Sequence, residues 1–105
     1  MKLLVDTSGK SFTVTMAAVE KTDQNGQQKT DRLSQEPLWV VQVMALDETG
    51  GEMLKVTLAG QMPKVTVGAV VSLAELEAIP WATNGRNGVA YRAKSITVAG
   101  SAKAA

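Results

Sequence analysis

The chain has no cysteine and no histidine. The first absence excludes a disulfide framework and a thiolate centre, and it suits a reducing compartment. The second removes the commonest general base and the commonest transition-metal ligand. The expectation is therefore a protein that is not an enzyme and carries no cofactor. Aromatic residues are scarce, Phe12, Trp39, Trp81 and Tyr91 being the whole set. Long apolar runs are missing too. The opening MKLLVDTSGK holds only a short apolar run broken by Asp6, too little for a signal peptide or a membrane span, so a soluble, cytoplasmic protein is expected.

What is present fits one domain. A chain of 105 residues buries a core without metals or crosslinks, and the expected division is a domain over residues 1–100 followed by a flexible tail, residues 101–105, in the small, polar ending GSAKAA. A net charge of +1 lacks the broad positive field of a duplex-DNA binder. Its distribution is uneven. No acidic residue follows Glu77, whereas Arg86, Arg92, Lys94 and Lys103 all do, and residues 53–74 add Lys55 and Lys64 with no acid.

Short Val- and Thr-rich runs separated by turn signals predict strands throughout. SFTVTMAAV alternates Phe12, Val14 and Met16 with Thr13, Thr15 and Ala17, and the KLLV run before it reads as an edge strand or a frayed end. Residues 22–37, TDQNGQQKTDRLSQEP, are polar and without periodicity, a long loop or an extended flexible hairpin. LWVVQVMALD is apolar on both faces, as a central strand is, and pairs through the turn Glu48-Thr49-Gly50-Gly51 with EMLKVTLAG. Residues 71–78 carry two patterns. Ser72 with Glu75 resembles a capping box and Leu73, Leu76 and Ile79 have helical spacing, but Gly68-Ala69-Val70-Val71 starts a strand and Pro80 leaves little room for a helix. A bent strand is expected. In VAYRAKSITV a parity change between Ala93 and Ile96 predicts a bulge or corner.

The stretch IPWATNGRNGVAYRA concentrates the unusual chemistry. Asn84-Gly85 and Asn87-Gly88 bracket Arg86 and supply the positive φ of a tight reversal. Trp81 precedes the turn and Tyr91 follows it. Rings that stack on unstacked bases, with a guanidinium for phosphate, suit a groove for single-stranded nucleic acid. Each residue also has a plainer reading. Trp81 is a groove residue or a lid over a barrel end. Trp39 shares parity with Val41 and Val43 and reads first as core, second as a stacking ring. Tyr91 faces the core with its hydroxyl at the rim, which leaves Arg92 and Lys94 outside. Arg86 contacts the ligand or is a solvated turn charge, and Lys55 is a groove cation or edge protection. Glu75 and Glu77 share a strand face, but neither a third metal ligand nor a nucleophile accompanies them. The Gly-rich turns do not open helices, as phosphate-binding loops do.

Five strands, with a tight second-to-third hairpin and a last hairpin from strands four and five, match an OB barrel. MLKVTLAG, the following Pro63, the Gly68 before VVSL, a glycine-containing hairpin and a final SITV resemble the single-stranded-DNA-binding proteins of filamentous bacteriophages, the gene V protein type. That resemblance implies an all-β, five-stranded OB-like barrel, a homodimer, and sequence-tolerant coating of single strands in a phage or plasmid setting. The PW..NGR.GVAYRA ending also resembles small proteins of actinobacterial mobile elements, to which no firm function attaches. The resulting expectation is single-stranded DNA or RNA bound by Trp39, Lys55, Trp81, Arg86, Tyr91, Arg92 and Lys94. The alternative is a protein-interaction or oligomer-assembly module working through exposed β edges and the Val40, Met44 face.

Overall fold

Alternation of β-branched and apolar side chains produces three ten-residue strands between Ser11 and Ala59. In the computed structural model, which describes residues 3–98, these are β2 (Ser11–Glu20), β3 (Leu38–Asp47) and β4 (Gly50–Ala59), preceded by a short β1 (Leu3–Leu4). The second half forms β5 (Val70–Ala74), β6 (Glu77–Thr83), β7 (Arg86–Arg92) and β8 (Ser95–Val98), and no helix occurs among the described residues. The GSAKAA tail lies outside them.

The fold is all-β. Its strands form one eight-stranded sheet in the order β1-β6-β7-β4-β3-β2-β5-β8, and its pairs are antiparallel except for β4 with β7. This differs from the expected five-stranded barrel in strand number, and the hydrogen-bonded order is open at β1 and β8. Two bends raise the count. Glu75 has a φ of 50°, which turns the chain between β5 and β6 and delivers Leu76 to the core at 1 % exposure. Residues 93–94 interrupt the partner run between β7 and β8, with Ala93 N–H donating to the Thr57 carbonyl and Lys94 N–H to that of Ala74. Residues 71–78 are thus strand with a bend, as the Pro80 argument predicts, and the parity change before Ile96 is the second bend. The opening run pairs as an edge, Leu3 opposite Ala78 and Leu4 opposite Glu77.

The inward positions of β2 to β5 make the core: Phe12 and Val14, Val41 and Val43, Leu54, Val56 and Leu58, Val71 and Leu73, joined by Leu76 and Ala93 at the bends. Burial of each large side chain stabilises by about 1.5–3 kcal/mol relative to leaving it in water. Two register shifts in the β2–β3 pairing, after Val14 and after Met16, coil these strands over the core.

The polar segment 22–37 is folded back on itself. Asp23 accepts the N–H groups of Asn25 and Gln27, Asp31 accepts those of Leu33 and Ser34, and isolated bridges join Thr22 to Gln28 and Thr30 to Pro37. Short polar side chains closing their own turns explain why no hydrophobic period marks this segment.

Candidate functional site

The outward positions of β3 and β4 form the floor of a groove of about 670 Å³. Because side chains alternate along a strand, Val40, Gln42, Met53, Lys55 and Thr57 face outward while Val41, Val43, Leu54 and Val56 are buried. The pairing sets Val40 opposite Thr57 and Gln42 opposite Lys55. The β6–β7 ribbon supplies the wall, through Trp81, Val89, Ala90 and Tyr91. Lys21 lines the groove near Thr57, and Glu52 lines it beside Met53.

Trp81 is held in an open position. It lies opposite Gly88 in the ladder, and a Cβ on Gly88 would stand 2.7 Å from the indole Cζ2. The ring therefore rests where any other residue at 88 would push it away, and it stays 45 % exposed. The reversal itself needs only Asn84 and Gly85, whose φ angles of 50° and 77° give the primed two-residue turn that matches strand twist. Asn87-Gly88 is thus strand rather than turn, and Arg86 is the first residue of β7.

Of the seven residues expected from the sequence, Lys55, Trp81 and Tyr91 meet in the groove. Tyr91 is half-buried and packs on the core, its ring also lining a second cavity of about 280 Å³ with Phe12, Leu54 and Leu76. Arg86 is exposed beside the groove. Thr83 pairs with Arg86 and Trp81 with Gly88, so alternation puts Arg86 and Trp81 on one face of the ribbon. Neither Arg86 nor Lys55 has a carboxylate partner among the described residues.

The other three lie elsewhere. Trp39 has the inward parity of Val41 and Val43 on β3, is half-buried, donates its indole N–H to the Gly60 carbonyl at 2.9 Å, and does not line the groove. Arg92 is drawn into the polar loop, where its Nη2 meets Asp31 Oδ1 at 2.7 Å. Lys94 lies 3.5 Å from Glu75, both largely exposed, and with Arg92, Glu36 and Glu77 they line a separate hollow of about 270 Å³. That hollow also holds Glu75 and Glu77, with Glu36, Arg92 and Lys94 as their charged neighbours. Among the described residues no group of acidic side chains is arranged to hold a metal ion.

Two titratable groups carry the imprint of this geometry. The Ser34 backbone N–H, the Arg92 guanidinium and the Ser34 hydroxyl hold the Asp31 carboxyl well below the usual carboxylate range. Desolvation lowers the pKa of Lys21, with Lys29 and Arg92 adding like-charge repulsion. Lys21, Met53, Gln42 and Thr57 are groove residues that sequence reasoning did not single out. The strand parity that selects Lys55 also selects Met53 and Thr57, but Lys21 lies just past the end of β2 and has no such signal. Compared with known proteins, the chain matches no family model, no curated protein and no solved structure.

Proposed function

We propose that this chain is a variant of the OB barrel that binds single-stranded DNA or RNA with little sequence preference and performs no chemistry on it. The connectivity supports the fold. If each bend is counted as a corner, β5 with β6 and β7 with β8 become two long strands, leaving five principal strands. The first then pairs with the second and fourth, the third with the second and, in parallel, the fifth, and the fourth with the fifth. OB barrels bind oligonucleotides on the face of strands two and three, between the first-to-second and fourth-to-fifth loops.

The observation that carries the function is the groove at that same location, which a half-exposed indole lines together with Tyr91 and Lys55. Bases stack on the rings, each stack contributing about 1–3 kcal/mol whatever the base, and the cations meet the phosphates. With Lys55 and Arg86 as the contacts, log K falls against log salt with a slope of about −1.4, since each phosphate contact on a single strand gives about −0.7. Exposed Met53 and Val89 in the same groove favour a second reading, an assembly surface for another copy of the chain.

An oligo-dT titration followed by tryptophan emission at two salt concentrations separates them. Quenching that salt reverses and that Arg86→Ala weakens supports nucleic-acid binding. Unchanged emission, together with a sedimentation coefficient that rises with protein concentration and falls in Met53→Lys, supports assembly instead.

A further inference from the structure

Lys21 is an unusual lysine for a strand end. Its backbone is fixed on both sides, its N–H donating to the Leu38 carbonyl at 3.0 Å and its carbonyl accepting from Lys29 N–H at 2.7 Å. The side chain then crosses β3 to reach β4, where Nζ donates to Thr57 Oγ1 at 3.1 Å. It is half-buried, and it forms no ion pair with a carboxylate among the described residues. The charges that act on it are those of Lys29 and Arg92, both cationic. Arg92 is itself paired with Asp31, but Lys29 has no ion-paired carboxylate among the described residues, so a partly desolvated ammonium stands beside a second cation, and an anion relieves it.

We infer that Lys21 and Thr57 form a seat for a phosphate group at one end of the groove. The donors suit that ligand. Nζ has two N–H groups beyond the one given to Thr57, and the Thr57 hydroxyl, accepting from Lys21, keeps its own O–H to donate. Both residues line the groove that contains Trp81 and Tyr91, so a phosphate bound here places the adjoining nucleotide beside the rings. The Asp31–Arg92 pair has a supporting part. By taking up Arg92, Asp31 anchors the polar loop across the strand position opposite Thr57 and leaves Lys21 as the donor that faces the groove. That the phosphate is a phosphodiester of a strand rests on the single-strand reading; free phosphate presents the same chemistry.

The test uses the full chain and two probes. Inorganic phosphate is titrated while the backbone amide shifts of Lys21 and Thr57 are followed, with chloride at matched ionic strength as the control. Saturable shifts at both positions, absent in Lys21→Met and reduced several-fold in affinity in Thr57→Val, are expected. Oligo-dT is then titrated across a salt series, where the seat adds a third contact to those of Lys55 and Arg86 and Lys21→Met is expected to change the log–log salt slope from about −2.1 to about −1.4. No shift in the wild-type protein with phosphate, and an unchanged slope in Lys21→Met while oligo-dT still quenches Trp81, overturns the seat and leaves the groove reading intact. Phosphate shifts without any response to oligo-dT support the seat, assign it to free phosphate and remove the strand.

Discussion

Two hairpins of this molecule are built on the same kind of ladder and put their side chains to opposite uses. β3–β4 pairs over ten positions and buries Leu38, Val41, Val43, Leu54, Val56 and Leu58. β6–β7 pairs over seven and buries no side chain fully. The first turn is fastened by side chains, since Asp47 accepts from the Thr49 N–H and hydroxyl and from Lys10 Nζ at 2.8 Å. The second is set by backbone conformation, through the positive φ of Asn84 and Gly85. One hairpin stabilises the protein; the other projects from it and keeps a tryptophan in the open. A ribbon that contributes little to the core is free to carry rings and charges for contact.

The comparison breaks if the two hairpins respond alike to truncation. Leu58→Ala in β4 is expected to destabilise by about 2–5 kcal/mol in urea unfolding, through lost transfer free energy and the cavity left behind. Trp81→Ala removes a larger side chain and is expected to cost within about 1 kcal/mol of stability, because its surroundings are already half solvent. Equal losses would mean that the ribbon is part of the core. In binding the order reverses. Trp81→Ala weakens oligo-dT affinity by about 1–3 kcal/mol, whereas the conservative Leu58→Met leaves it nearly unchanged.

Much of this division is legible in the sequence. The apolar run LWVVQVMALD and the alternation of EMLKVTLAG after a Gly-Gly turn identify the buried hairpin, and Asn84-Gly85 between Trp81 and Tyr91 identifies the other, because these signals are local. The bend at Glu75 is legible from Pro80 and the run Gly68 to Val71, though its helical spacing competes. Other features depend on distant parts of the chain. Arg92 has the parity of an outward cation and is neutralised by Asp31, sixty-one positions earlier, out of a loop with no periodicity. Trp39 has core parity, but only the tertiary fold supplies the Gly60 carbonyl that holds its indole. Gly88 reads as a turn residue because Asn-Gly pairs favour turns; in the ladder its missing Cβ makes room for the indole instead. The strand count of eight differs from the expected five because the two bends read from the sequence, at Glu75 and after Arg92, interrupt the strands there and the opening run adds a short edge.

Gly88→Ala sharpens the comparison at a single atom. It is expected to lift the indole from its seat, which shifts Trp81 emission and weakens oligo-dT binding several-fold, with a stability change of less than about 1 kcal/mol. Acid probes the loop that borders the groove. The Asp31 and Asp47 carboxyls are both depressed below their unfolded values, Asp31 by Ser34 and Arg92 and Asp47 by Lys10 and Thr49. Their contribution to stability is therefore complete above the unfolded carboxylate pKa of about 3.9 and is lost as pH falls from there through the folded values. Asp31→Asn is expected to flatten the acid limb of a stability–pH profile; an unchanged limb would mean that the Arg92 contact is not maintained in solution. Arg86→Ala should have the smallest effect on folding, within about 0.5 kcal/mol, because its side chain is exposed and has no carboxylate partner among the described residues.

The two tryptophans allow the most direct test. In a ¹H–¹⁵N spectrum each gives its own indole signal, one from Trp39, bonded to the Gly60 carbonyl, and one from Trp81, open to solvent. On titration with oligo-dT the Trp81 signal is expected to move and to return when salt is raised, while the Trp39 signal stays in place. Movement of the Trp39 signal alone, or of neither, would contradict a single-strand groove between the β3–β4 face and the β6–β7 ribbon.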